Sequence, residues 1–180
     1  GQIWFSNSQA DTQPVTGAQL AYLINHMLSD EAARWPSLGH PNSLEIGRPT
    51  ATKMGMTAQG TDSWTVGYTP QLVVGVWLGT DAADSPHGGA PTPQMSAALW
   101  RAIMQYATRD LPSESWQAPL GINTLTVCDP SGMLPTAECP SLVSEVFLSG
   151  HEPTQADTLF RVYEVNRETG RLATVFTPPE

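Results

Sequence analysis

Residues 48–69, "RPTATKMGMTAQGTDSWTVGYT", decide the reading of this chain, and they contain its only lysine, Lys53. Residues 50–57 and 63–69 alternate small or hydroxylated residues with larger ones, the pattern of strands. A third run, "LVVGVWLGT" at 72–80, follows after Pro70-Gln71, so the second and third runs are expected to form an antiparallel hairpin. Upstream, "TGAQLAYLINHMLSDEAAR" (16–34) reads as an amphipathic helix, with Thr16 as N-cap and Leu20, Leu23, Ile24, Met27 and Leu28 at helical spacing. "WPSLGHPNSLEIGRP" between them is a turn-rich connection. Downstream, a Gly/Pro-rich loop (82–93) leads into a second helix, "PQMSAALWRAIMQYATRD", whose Leu99, Ile103 and Met104 are placed to cover one sheet face.

Around 111–121 the composition turns linker-like, and beyond it come strand-like runs ("INTLTVC", "SEVFLSG", "LFRVYEVN") with "NRETGRLAT" as a hairpin turn. The expected fold is α+β: an antiparallel sheet flanked by helices over 1–114, and a small β-rich module over 115–180. No internal repeat is visible. Eight basic against seventeen acidic residues give a net charge of −9. That balance argues against nucleic acid or an anionic membrane as partner, since both reward clustered Lys and Arg. No apolar run reaches the roughly 20 residues needed to span a bilayer, and no signal-peptide pattern is present. An export or anchoring signal for extracytoplasmic work would therefore have to lie elsewhere, on another segment or a partner.

Cys128 and Cys139, in "CDPSGMLPTAEC", read either as a short-loop disulfide, contributing roughly 2–3 kcal/mol, or as two thiols. The disulfide would favour an oxidising, extracytoplasmic compartment. Nothing nearby completes a zinc set, and no metal or cofactor is expected. His26, His40, His87 and His151 are scattered and read as surface or packing residues. Ser131-Gly132 and Ser149-Gly150 are turn residues, outside the strand–helix context of a nucleophile elbow. Trp64 and Trp77 read as core, whereas Trp4, Trp35 and Trp116 are candidates for a contact surface.

The order of helix, lysine-bearing strand, Trp-bearing hairpin and closing helix resembles the class A penicillin-binding proteins. "GRPTATKMGMT…DSWTVGYTPQLVVGVWLGTD" is similar to the segment around their Lys-Thr-Gly motif, and the tail, with "FLSGHEPT", is similar to a β-rich extension that some members carry. The resemblance implies the C-terminal half of a penicillin-binding, serine transpeptidase fold. It also implies a chemistry in which a lysine-activated serine is acylated by a peptidoglycan stem peptide and the acyl group passes to an amine. In that scheme Lys53 supplies positive charge, Gly55 matches the motif glycine, the backbone N–H of Met56 completes the oxyanion hole, and Thr57 matches the last threonine.

The departures are equally specific. Met54 stands where a carboxylate-binding threonine belongs and Met56 replaces the next one. A thioether donates no hydrogen bond, and loss of such a charge-assisted bond costs about 1.5–3 kcal/mol. The one lysine is preceded at the Ser-x-x-Lys spacing by Thr50, and no asparagine has a serine two residues before it. The chain alone is therefore expected to be inactive, with a stem peptide as substrate only if the missing elements are supplied. The alternative is a non-catalytic structural or binding subunit of an extracytoplasmic assembly. In either case a protein partner is expected to cover the incomplete sheet.

Overall fold

The structure, a computed structural model, describes residues 13–80 and 91–175. Trp4, His87 and most of the 82–93 loop lie outside the described residues. In order come α1 (Ala18–Ser29), a 3₁₀ turn (Ala32–Arg34), α2 (Trp35–Leu38), β1 (Ala51–Met56), β2 (Asp62–Tyr68), β3 (Val73–Gly79), α3 (Pro93–Thr108), β4 (Ile122–Cys128) and β5 (Leu142–Leu148). The chain divides into two compact units, one ending at Pro119 and the other beginning at Leu120.

In the first unit β1, β2 and β3 form an antiparallel sheet in that order. Lys53 stands opposite Val66, Gly55 opposite Trp64, and Trp64 opposite Trp77. Cross-strand partners share a face, so the pairing sorts the side chains into two sets. Thr52, Met54, Met56, Ser63, Thr65, Gly67, Val74, Val76 and Leu78 face α3. Lys53, Trp64, Val66, Val73 and Trp77 face the other way. The turn from β1 to β2 closes through Gly60, whose N–H donates to Thr57 O at 2.9 Å and whose φ of 72° is open to glycine at little cost.

The core sits between the sheet and α3. Trp100 and Met104 are fully buried with Ala97, Val76 and Leu44, and Leu38, Ile46, Met54, Leu72, Val74 and Leu78 pack against them. Helix α3 begins cleanly because Thr92 Oγ1 accepts from Met95 N at 3.3 Å and Pro93 fills a first-turn position. Its buried stripe is Ser96, Ala97, Trp100, Met104 and Thr108. Of the residues expected to cover the sheet, Met104 does so. Leu99 and Ile103 are exposed, because the stripe is centred on Trp100 and they flank it.

Helix α1 is shorter than the sequence suggested and ends at Ser29, with the 3₁₀ turn taking up Ala32–Arg34. Thr16 is not its N-cap: Gly17 occupies that position without a side-chain cap, and Ala21 N donates to Gly17 O. No residue of α1 is buried, and Leu20, Ile24 and Met27 are exposed. The Arg48 guanidinium donates to Leu111 O at 3.0 Å and Gln71 Nε2 to Pro112 O at 2.9 Å, which ties the strand approach to the segment after α3.

The second unit is built on β4 and β5, antiparallel from Ile122↔Leu148 to Cys128↔Leu142. Cys128 and Cys139 form a disulfide across eleven positions of sequence. The run at 159–166 does not form the expected strand: Val162 and Tyr163 are exposed, and a single bridge, Val165↔Leu172, marks the segment. That bridge closes a tight turn in which Asn166 N donates to Arg171 O and Gly170 takes a φ of 66°.

Candidate functional site

Lys53 lies mid-strand on β1, a strand that no other described strand borders on its outer side. Thr57 N donates to Asp62 O at 3.0 Å, which makes that a hydrogen-bonded pair of the ladder. Antiparallel pairs alternate, so Ala51, Lys53 and Gly55 bond to β2, while Thr52, Met54 and Met56 turn their N–H and C=O groups to the open edge. The Lys53 ammonium donates to one of these, Met54 O, at 2.9 Å. The Met56 N–H thus points outward from the edge beside the lysine's own side chain.

The two methionines do not share the lysine's face. Met54 is half-buried against the α3 core, and it lines a cleft of about 300 Å³ with Leu38, Leu44, Gln94 and Ala97. Met56 is on the same face and is exposed. Thr57 is fixed at the turn, its hydroxyl accepting from Asp62 N at 3.1 Å and lying 3.2 Å from Thr61 Oγ1. Lys53, Gly55, Met56 and Thr57 are therefore contiguous along one edge, as a strand must place them, and the other elements of an acyl-transfer site are not found beside them among the described residues.

The face that carries Lys53 is apolar and open. Trp64 is 49% exposed and Trp77 55%, so neither is core, contrary to the sequence reading. Their rings lie 6.4 Å apart, and Trp77 Nε1 donates to Asp62 Oδ1 at 3.0 Å. Along β2 the usual polarity is inverted: Ser63, Thr65 and Gly67 are buried, while Trp64 and Val66 are exposed. The buried hydroxyls are satisfied by Ser96, whose Oγ lies 2.7 Å from Ser63 Oγ and 2.8 Å from Thr65 Oγ1. At the far end of this face Tyr68 donates to Asn25 Oδ1 at 2.7 Å and stands edge-on to Trp116 at 5.7 Å.

A second polar cluster escaped the sequence reading. Glu45, buried, accepts from Trp35 Nε1 at 3.1 Å and Asn42 Nδ2 at 2.6 Å through Oε1, and its Oε2 meets His40 Nδ1 at 3.0 Å. The carboxylate thereby orders the connection from α2 to β1. Its partners are three to ten residues away in a segment without periodicity, so only the turn residues themselves hinted at it. In the second unit, Asn123 holds the Glu152 carboxyl below its ordinary range, helped by backbone N–H groups, that of Gly150 among them. Ser131 does the same for Asp157, helped by Phe160 N–H.

A family profile described as "Penicillin-binding protein 1A, C-terminal domain" matches residues 118–162. The chain is related to the C-terminal part of class A penicillin-binding proteins. Penicillin-binding protein 1A of Clostridium botulinum strain Langeland is 28% identical over 179 residues, covering 94% of this chain and 21% of that protein. The protein of the same name from Mycobacterium tuberculosis is 33% identical over 129 residues, covering 66% of this chain and 16% of its own. The chain thus spans about a fifth of the length of the curated relatives it matches. The crystal structure of Penicillin-Binding Protein 1A from Haemophilus influenzae superposes with a TM-score of 0.60 at 22% identity, over 77% of this chain and 21% of that one. The α+β fold, antiparallel sheets included, is shared with that penicillin-binding protein. No helix among the described residues is long and apolar enough to cross a membrane.

Proposed function

We propose that this chain is the lysine-strand portion of a peptidoglycan D,D-transpeptidase-like protein and that it does not catalyse acyl transfer alone. The observation that carries the reading is the inverted polarity of β2, which leaves Trp64, Val66 and Trp77 exposed around Lys53. A face of that composition gains free energy when another protein surface covers it, at about 25 cal/mol per Å² of apolar area. Ser-x-x-Lys and Ser-x-Asn, absent from this sequence, would come from that covering polypeptide, either more of a longer parent chain or a separate subunit. Lys53 would then supply charge and the outward Met56 N–H an oxyanion donor toward a stem peptide. The Cys128–Cys139 disulfide supports an extracytoplasmic location, with anchoring through another segment or the partner.

A second reading, a non-catalytic subunit of an extracytoplasmic assembly, draws on Met54. Its side chain packs into the α3 core and offers a carboxylate no hydrogen bond. Native mass spectrometry of the protein isolated from its source separates the two. A longer polypeptide that carries Ser-x-x-Lys, or a complex with a chain bearing it, supports the transpeptidase reading, and a complex with an unrelated protein supports the structural subunit. A bare 19.4 kDa monomer would contradict both.

A further inference from the structure

The sheet of the second unit stands on its own pairing and does not need the cystine beside it. Strands β4 and β5 are joined from Ile122↔Leu148 to Cys128↔Leu142, and the ladder ends on the bond from Asp129 N to Ser141 O. The loop beyond that bond divides in two. Its first half is a self-bonded turn, in which Gly132 N donates to Cys128 O and Cys128 N to Met133 O. Its second half, 134–139, has the bond from Cys139 N to Thr136 O and is pinned at its end by the Cys128–Cys139 disulfide. This half also holds the segment that follows β5. Leu134 N donates to Gln155 O at 3.0 Å and Asp157 N to Leu134 O at 2.8 Å, a short parallel bridge. Asp157 is 5% exposed, its Oδ2 accepts from Phe160 N at 3.0 Å, and Ser131 of the same loop stands beside its carboxylate.

We infer that the disulfide is a redox-sensitive latch: oxidised, it docks residues 155–160 on the 134–139 loop, and reduction by an external dithiol releases them while β4 and β5 stay paired. The chain contains two cysteines, so a reductant acts on this bond alone. The two sulfurs are unequally placed. Cys128 is fully buried at the end of β4, whereas Cys139 is half-buried in the loop. Attack is therefore directed to Cys139. A thiolate of the reductant bonds to Cys139 Sγ, the Sγ–Sγ bond breaks, and its electron pair leaves on Cys128 Sγ, which takes a proton. The reductant's second thiolate then attacks its own bound sulfur, closing the reductant's disulfide and freeing the Cys139 thiolate, which is protonated in turn. Cys128 remains held by the ladder, so the end set free is Cys139. The chain entropy regained there loosens 134–139, and with it both bonds at Leu134.

Amide hydrogen exchange of the purified chain with and without dithiothreitol tests the latch, with thiol alkylation recording the reduction itself. Protection of the Leu134, Asp157 and Phe160 amides is expected to fall by about tenfold or more on reduction, as the loss of even a weakly contributing disulfide implies. Leu125 and Glu145, a hydrogen-bonded pair in the middle of the ladder, should keep theirs. Reoxidation should restore the original pattern. Cys139→Ser, at a half-buried loop position, should show the reduced pattern with no reductant present. Three results would each overturn the inference: a disulfide that resists dithiothreitol in the folded chain, Leu134 and Asp157 amides indifferent to its loss, or an equal loss of protection at Leu125 and Glu145. None of them bears on whether another polypeptide covers the Lys53 face.

Discussion

The two faces of the three-stranded sheet are made of residues one position apart in sequence, yet they have opposite fates. On one face Ser63, Thr65 and Gly67 lie buried beneath α3, with Trp100 filling the space over Gly67. On the other, Trp64 and Val66 stand in solvent beside Lys53. Polarity alone would assign them the other way round. The difference teaches that burial on β2 is set by what the helix brings. Ser96 supplies hydroxyl partners and Trp100 supplies bulk, so small polar residues fit beneath them, and the large apolar residues are left on the open face.

Truncating the tryptophans sharpens the contrast most. Trp100→Ala is expected to cost about 3–5 kcal/mol, because it empties the core centre and removes the bond from Nε1 to Val74 O. Trp64→Ala should stay within about 0.5 kcal/mol, as for surface positions generally, and urea denaturation of the pair measures both. If Trp64→Ala proves as damaging as Trp100→Ala, the faces are not different and the open face is wrongly described.

The glycines make the same comparison in reverse. A Cβ at Gly67 would run into the Trp100 ring and Thr52 Oγ1, so Gly67→Ala is expected to destabilise by about 1–3 kcal/mol. Gly75→Ala, on the open face, should be close to neutral in the same urea denaturation. A third test probes the polar side of the buried face. Ser96→Ala leaves the buried Thr65 hydroxyl without its partner, while Ser63 keeps its bond to Thr92 O, with an expected loss of about 1–3 kcal/mol. Ser96→Thr, which keeps a hydroxyl, should recover part of it.

The smallest expected effect lies in the second unit, where no covered face is at stake. Glu152 titrates below its ordinary value of 4.5 in the folded chain, chiefly through Asn123. Its contribution to stability is therefore present above that value and lost as pH falls through the folded pKa. Glu152→Gln should lower stability slightly at neutral pH and flatten the acid limb below pH 4.5, the two proteins converging at low pH, as urea denaturation across that pH range would record.

Much of the fold was legible. The strand runs, the hairpin after Thr69 and the closing helix follow from period and turn chemistry, and the structure sets them within a residue or two of their expected ends. What escaped has physical causes. Leu99 and Ile103 match a helical stripe as well as Trp100 does, and only the position of Gly67 on the sheet selects which stripe is buried. Trp64 and Trp77 look like core because large apolar residues usually are, but sequence does not tell whether a face has something to lie against. The 159–166 run has strand composition without a strand to pair with. At the site, the placement of Lys53 and Gly55 on one strand was readable, whereas the turning of both methionines toward α3 depends on pairing parity.

We propose that this chain carries the lysine strand of a penicillin-binding-protein-like fold and does not catalyse acyl transfer alone. Incubating the purified chain with a fluorescent penicillin and recording its intact mass tests that claim most directly. The account predicts an unshifted 19.4 kDa species. A mass increase equal to the drug, mapped by peptide sequencing to any serine of this chain, would contradict it.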